Sequence, residues 1–149
     1  MHDKEIELFT KALQACNDEF YIDAIETLLE LVSTYPDSEL ADDALYNVGL
    51  CYFNLNQFEK AIEYFQKVID EYPDGTISVL EGGNEYGSTS AKCYYAIINC
   101  LLAIGKMEEI ENILYKLESY PDSYIINSEG TKLTYKEYAE LAVNVFKNK

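Results

Sequence analysis

The sequence has few residues of the kinds that serve catalysis, metal binding or contact with phosphates. It has no Trp and a single His, and its 11 Lys and Arg face 27 Asp and Glu, which gives a formal net charge of −16. Nucleic acids and anionic membranes attract Lys and Arg, so this charge argues against both as partners. A basic partner would be steered towards the chain. The alternative is that the acidic residues only keep helix faces hydrated.

Long apolar runs and an N-terminal signal are also missing. No apolar run approaches the roughly 20 residues that cross a bilayer, and the first residues are acidic, with no apolar signal core. The cysteines form no CxxC pair, and unpaired thiols suit a reducing compartment. They are Cys16, Cys51, Cys93 and Cys100. These features favour a cytoplasmic protein, although a chain whose signal had been removed would look the same.

The same scarcity argues against an enzyme or a metalloprotein. The single histidine, His2, leaves no base for a Ser or Cys nucleophile. A zinc site would need paired Cys or His spacings, whereas Cys51 and Cys100 occupy equivalent places that suit small core residues. We therefore expect no catalytic residue, no bound metal and no cofactor.

The most informative stretch runs from Ala41 to Gly75, where small and large residues alternate at fixed offsets. Gly49 and Ala61 are small enough to let two helices approach closely, and Pro73 ends the second helix. With Asp42 as position 1, the key positions carry Leu45, Val48, Gly49, Tyr52, Ala61, Phe65, Val68 and Pro73. This pattern resembles a tetratricopeptide repeat, a helix–turn–helix unit of about 34 residues.

The closing Tyr-Pro-Asp motif recurs around Pro36, Pro73 and Pro121. This recurrence predicts one further repeat before the one just described and another after it. The resemblance implies an all-α fold, a right-handed superhelix of three antiparallel helix pairs plus a C-terminal capping helix, in one domain spanning 1–149. The expected repeats cover 5–38, 42–75 and 91–122, followed by the capping helix at 134–147. The expected helix pairs cover 3–16 and 20–34, 38–55 and 58–72, and 90–104 and 107–119, with Ser38 as an N-cap.

Residues 76–90 interrupt the repeats. They contain three glycines and a Ser/Thr cluster, which is loop chemistry. Ile77, Val79 and Leu80 are apolar, so we expect them to extend a helical turn or to fold back onto the helices. Loops of this length are often functional, and the sequence leaves open whether this insertion is a lid or a tolerated surface loop.

The tail begins with a second irregular segment, from Tyr124 to Lys132, whose Tyr-Ile-Ile run predicts a short extended piece. Thr134 and Glu137 have the spacing of a capping box at the start of the last helix. We expect one apolar stripe of that helix to cover the open end of the array. The stripe consists of Tyr138, Leu141, Ala142, Val145 and Phe146.

The resemblance also implies a binding surface, because the first helix of each tetratricopeptide repeat lines a concave groove. The groove residues it implies here are Phe9, Leu13, Tyr46, Asn47, Leu50, Phe53, Asn54, Lys92, Tyr95 and Asn99. Such an aromatic, apolar groove suits an amphipathic helix or an extended peptide. An equally weighted alternative is that the insertion or the last helix fills the groove from within. Members that bind chaperone tails place Lys and Asn where Phe9 and Leu13 stand, so that carboxylate clamp is not expected.

We therefore expect a non-catalytic interaction module that binds a protein or peptide, with neither nucleic acid nor membrane as its partner. The Tyr-Pro-Asp-Ser motif is similar to that of bacterial tetratricopeptide-repeat proteins of cell-envelope assembly. A structural subunit that buries its apolar face in a homodimer is the alternative from a different functional class.

Overall fold

The computed structural model of the chain describes residues 3–148, most of which are helical. The helices in this part of the chain are α1 (Asp3–Asn17), α2 (Tyr21–Thr34), α3 (Ala41–Asn54), α4 (Phe58–Glu71), α5 (Thr89–Ile104), α6 (Ile110–Leu117) and α7 (Tyr135–Lys147). Short 3-10 turns cover Val79–Glu81 and Met107–Glu109, and the strands are β1 (Glu85–Tyr86), β2 (Tyr124–Ile126) and β3 (Lys132–Thr134). Consecutive helices from α1 to α6 pack against each other, and α7 packs on α5 and α6.

Small residues set how closely the helices of a pair approach. A Cβ added at Gly49 on α3 would lie 2.6 Å from a ring carbon of Phe65 on α4, so only glycine fits there. Ala61 and Phe65 are fully buried, and both belong to one hydrophobic core cluster. At the helix ends, Tyr72 donates a hydrogen bond from its hydroxyl to the carbonyl of Pro36 (2.8 Å), which ties the two Tyr-Pro turns together.

The boundaries of α1 to α4 agree with the sequence-based expectation within a few residues, but the N-cap of α3 is not the expected residue. Ser38 was expected in that role, whereas α3 begins at Ala41 with Leu40 as its N-cap and no side-chain capping bond. A turn intervenes, in which the Ser38 hydroxyl accepts a hydrogen bond from the Leu40 N–H (3.1 Å). Asn56 lies in the turn between α3 and α4 and has a positive φ of 61°.

A small antiparallel sheet departs from the all-α expectation. Its strand order is β1-β2-β3, with Glu85 paired to Ile125 and Ile125 to Leu133. The sequence predicted only the extended piece at β2. Strand β1 belongs to the insertion, so the sheet attaches the insertion to the tail of the chain.

The last helix has the predicted capping box, formed by Thr134 and Glu137, but its buried face is not the predicted one. Tyr135, Ala139 and Val143 face the core, whereas Leu141 and Val145 stay 51% and 62% exposed. Tyr135 directly follows β3, and a hydrogen bond from its hydroxyl to Glu85 (2.6 Å) holds it inward, which sets the rotation of the helix. Of the stripe that was expected to be covered, Tyr138 and Ala142 are half-buried, whereas the expectation is wrong for Leu141, Val145 and Phe146, which are exposed.

The insertion folds differently from the expectation at two of its three apolar residues, because Val79 and Leu80 are both exposed. Val79–Glu81 does form the expected helical turn, as a short 3-10 segment. Val79 nevertheless stays 76% exposed, while Ile77 packs against the core. The turn needs only its backbone and the Ser78 hydroxyl, which accepts from the Leu80 N–H (3.1 Å), so it does not require Val79 to be buried.

Candidate functional site

A cleft of about 410 Å³ opens where α1, α3 and α5 meet the insertion. Helix α1 contributes Leu13 and Asn17, and α5 contributes Lys92. The full lining is Leu13, Asn17, Tyr46, Asn47, Leu50, Leu80, Glu81, Gly82, Glu85 and Lys92. The size lies within the range of about 300–1,000 Å³ that is typical of ligand pockets. In this lining, the leucines and Tyr46 lie beside a group of charged side chains.

Lys92 is the centre of that charged group. Its ammonium nitrogen lies 2.9 Å from Oε2 of Glu81 and 3.1 Å from Oε1 of Glu85, both from the insertion. It also lies 4.2 Å from the ring centroid of Tyr46, a cation–π contact. Burial by itself lowers the pKa of Lys92, but Tyr46 and the two carboxylates outweigh it and raise the pKa. Lys92 therefore stays charged.

Glu81 fills the space between α3 and α5. Its Oε1 accepts a hydrogen bond from the side-chain amide of Asn47, which also donates to the backbone carbonyl of Asp43 (2.9 Å). Its Oε2 accepts from Lys92 (2.9 Å), so both carboxylate oxygens are bonded. Part of the predicted groove is thus filled from within the chain, by one residue of the insertion.

A second carboxylate extends the network to the last helix. Glu85 Oε2 accepts a hydrogen bond from the hydroxyl of Tyr135, the first residue of α7 (2.6 Å). Burial, the charge of Glu85 and this hydrogen bond all raise the pKa of Tyr135, which keeps its proton. Lys92 and Glu85 thereby connect α5, the insertion and α7 in one polar network.

Two adjacent acids at the start of α3 hold the insertion at both ends. Asp42 accepts a hydrogen bond from the hydroxyl of Thr89, and Asp43 Oδ1 accepts one from the backbone N–H of Ser78 (2.9 Å). Asp43 is fully buried, and its Oδ2 has no hydrogen-bond partner within residues 3–148. Burial, together with the charges of Asp42 and Glu81, raises the pKa of Asp43 to about 9, so it is protonated at neutral pH.

The base of the insertion is closed by backbone hydrogen bonds. The N–H of Thr89 donates to the carbonyl of Gly75 (3.0 Å), and the N–H of Ile77 donates to that of Gly87 (2.9 Å). The N–H of Ser88 donates to the hydroxyl of Ser123 in the tail (2.9 Å). The insertion is therefore anchored on three sides and forms a fixed wall of the cleft.

The structure separates the predicted groove residues into different settings. Leu13, Tyr46, Asn47, Leu50 and Lys92 line the cleft. Phe9 is fully buried in the core between α1 and its neighbours and offers no surface to a partner, which corrects its assignment to the groove.

The other predicted groove residues lie outside the cleft. The rings of Phe53 and Phe58 meet edge to face, with centroids 5.3 Å apart. Asn54 is exposed at the end of α3, and Asn99 is half-buried on α5. Tyr95 packs against Tyr135 and lines a separate depression. The predicted groove is thus interrupted by the insertion rather than continuous.

That depression lies between α5 and α7 and is largely apolar. Its volume is about 350 Å³. It is lined by Tyr95, Leu102, Tyr138, Leu141, Ala142, Val145 and Phe146. Most of the α7 stripe that was expected to be covered therefore lies on the surface. The depression is a second candidate contact area.

Sequence reasoning missed Glu81, Glu85 and Asp42 as parts of the site. Acidic residues on a loop are usually solvated, and nothing in the sequence indicates that a loop glutamate turns inward. The one available signal was Lys92, a cation at an inward position of an otherwise apolar helix, which needs a partner when buried. Among residues 3–148 no group of three or more His, Cys, Asp or Glu is placed to hold a metal ion. His2 lies outside the described residues.

Comparison with known proteins confirms the resemblance on which the sequence interpretation rests. Residues 42–74, which span α3 and α4, match the family model "Tetratricopeptide repeat". No curated protein matches the chain. None of the helices in the described part of the chain is long and apolar enough to cross a membrane.

Solved structures of MamA share the fold at low sequence identity. A double mutant of MamA RS-1 superposes with a TM-score of 0.61 at 18% identity, covering 80% of this chain and 57% of that one. Two other MamA mutants give TM-scores of 0.55 and 0.56, each at 18% identity, and cover 78% and 79% of this chain. This chain spans 54% and 73% of the length of those two structures. At such identity the likeness establishes the fold alone.

Proposed function

We propose that this chain, which carries a tetratricopeptide repeat, is a non-catalytic protein–protein interaction module. We assign the pairs α1–α2, α3–α4 and α5–α6 to three repeats of one superhelical domain, with α7 as its cap. The packing of consecutive helices supports this assignment, as does the match of the α3–α4 pair to the family model. The module then binds its partner at the cleft where α1, α3 and α5 meet the insertion.

The lining of the cleft indicates the chemistry of the partner. Leu13, Leu50 and Leu80 offer apolar contacts, while Glu81 and Glu85 bring two negative charges against the one positive charge of Lys92. The excess is one negative charge beside an apolar surface, on a chain whose net charge is −16. A peptide with an apolar anchor next to a Lys or Arg satisfies both features. This lining is the observation that carries the proposal.

Selection from a display library of random peptides tests the proposal while the natural partner is unidentified. We expect the enriched peptides to pair a basic residue with an apolar one, and their binding to weaken as salt rises. Leu50→Glu, at the cleft, should abolish capture of those peptides. Leu141→Glu, in the depression between α5 and α7, is the matched control and should leave capture intact. Circular dichroism must show the helical signal of the unmodified chain in both variants.

Either of two results would refute the cleft as the binding surface. One is capture that survives Leu50→Glu, and the other is capture that is lost only in Leu141→Glu.

The depression between α5 and α7 favours a second candidate function. Leu141 and Val145 are more than half exposed and adjoin Phe146, an apolar area that a second copy of the chain would cover. A structural subunit that forms a homodimer is that candidate. Light scattering coupled to size exclusion decides it, because a dimer that Leu141→Glu converts to a monomer would favour self-association, and a monomer at every concentration would reject it.

A further inference from the structure

Two cysteines that lie far apart in the sequence meet between α1 and α3. The sulfur of Cys16, in the last turn of α1, lies 3.4 Å from the sulfur of Cys51 in α3, although 35 positions separate them. Within residues 3–148, which include every cysteine of the chain, this is the one thiol–thiol hydrogen bond. Cys93 and Cys100 are buried in α5 and are free thiols as well.

We propose that Cys16 and Cys51 form a redox-active dithiol, a modification site that a hydroperoxide oxidises to an intramolecular disulfide. A disulfide bond is about 2.05 Å long, so the sulfurs must approach by roughly 1.4 Å. Rotation about the side-chain bonds and a small helix shift supply that movement. A cytoplasmic protein with such a pair would belong to the redox-sensing exceptions among intracellular disulfides.

The surroundings of the two thiols assign them different roles. Cys16 is partly exposed, which gives a small oxidant access, whereas Cys51 is buried. The hydrogen bond that Cys16 shares with Cys51 lowers the pKa of Cys16 and outweighs the effect of burial. The same bond, together with burial, raises the pKa of Cys51. Cys16 is therefore the attacking sulfur and Cys51 the resolving one.

The chemistry balances with one hydroperoxide. The Cys16 thiolate attacks the terminal oxygen of ROOH, the O–O bond breaks, and the products are a sulfenic acid at Cys16 and an alkoxide that takes up a proton as ROH. The sulfur of Cys51 then attacks that of Cys16. The S–O bond breaks, the S–S bond forms, and the hydroxide leaves as water with the proton of Cys51. Two thiols and ROOH thus give one disulfide, ROH and water.

The position of this pair connects it to the cleft. Cys16 directly precedes Asn17 in the sequence, and Cys51 directly follows Leu50, and both neighbours line the cleft. A disulfide here would fix α1 against α3 at that wall. The inference itself does not depend on the proposed function, because the oxidation is measured without a binding partner.

The test uses the full chain, fully reduced and then exposed to hydrogen peroxide or tert-butyl hydroperoxide. Remaining thiols are alkylated under denaturing conditions, and peptides are mapped by mass spectrometry. We expect two of the four thiols to be lost and a single peptide pair to be joined, the one that contains Cys16 and Cys51. Four free thiols after treatment, a link to Cys93 or Cys100, or a link between two chains would overturn the proposal.

Single variants separate the two roles. In Cys51→Ala we expect the sulfenic acid of Cys16 to accumulate and to be trapped by dimedone, whereas Cys16→Ala should give neither adduct nor disulfide. Cys100→Ala is the matched control at the equivalent place in α5 and should form the disulfide as the unmodified chain does. The peptide map of the unmodified chain decides the proposal even where a variant fails to fold. Dimedone adducts at Cys51 in Cys16→Ala would reverse the roles and contradict the assignment.

Discussion

The ammonium of Lys92 lies 2.9 Å from the carboxylate of Glu81, and both side chains are shielded from water, at 5% and 6% exposure. Lys92 belongs to α5 and Glu81 to the insertion, so this ion pair fixes the insertion over the face that α3 and α5 present. A buried ion pair that loses one partner leaves an uncompensated charge, which makes the pair a structural requirement.

Lys92→Met should therefore strongly destabilise the fold. We expect a loss of about 3–5 kcal/mol in the free energy of unfolding, because Glu81 and Glu85 would stay buried without their cation. Lys67→Met is the matched control, since Lys67 pairs with Glu71 at 3.9 Å on an exposed face. Its cost should stay below about 1 kcal/mol. Urea unfolding measures both, and equal costs for the two variants would contradict the role given to Lys92.

Asp43→Asn should remove part of the pH dependence of stability. The pKa of Asp43 is about 9 in the folded chain and about 3.9 when unfolded. Stability linked to this group is full below the unfolded value and is lost as pH rises towards the folded one. Asparagine carries no charge and keeps an oxygen for the Ser78 N–H. We thus expect the variant to gain stability relative to the unmodified chain as pH rises.

Urea unfolding at about pH 5 and about pH 8 measures that gain, because both pH values lie between the unfolded and the folded pKa of Asp43. Asp70→Asn, on the exposed face of α4, is the control and should show no comparable change. A difference between Asp43→Asn and the unmodified chain that is the same at both pH values would refute the buried, protonated state of Asp43.

Two glycines of the insertion provide a matched pair. Gly87 has φ of 109°, and a Cβ there would lie 2.6 Å from the backbone Cα of Ser123. Gly83 also has a positive φ, of 75°, but nothing lies within 4 Å of an added Cβ. We expect Gly83→Ala to cost about 1–2 kcal/mol from backbone strain alone.

Gly87→Ala combines a more strained φ with a clash against backbone and should cost at least about 3 kcal/mol. Thermal unfolding compares the two variants. Similar melting temperatures would mean that the insertion does not pack against the tail at Ser123.

The helices could be predicted from the sequence because their signals are local. Pro36 and Pro73 mark where α2 and α4 end, and Gly49 allows the close approach of a neighbouring side chain, which is Phe65. Such signals depend on backbone chemistry within one turn or one repeat. The capping box of Thr134 and Glu137 belongs to the same class and was predicted correctly.

The rest depends on contacts that local patterns do not encode. Glu81 reaches Lys92 because the insertion follows a particular path, and its sequence specifies only that it is a loop. The rotation of α7 was misjudged because Tyr135 is turned inward by its bond to Glu85, and an apolar stripe alone cannot show that. The contact of Cys16 with Cys51 likewise needed the packing of α1 near α3.

The most direct test of the central claim is an NMR titration of the isotopically labelled chain with a basic, apolar peptide enriched in the display selection. The claim is that the cleft bounded by the insertion is the binding surface. We expect the amide signals of Leu13, Leu50 and Gly82 to shift or broaden as peptide is added, with those of Leu141 and Val145 unchanged. Changes confined to Leu141 and Val145 would contradict the claim and move the binding surface to the depression between α5 and α7.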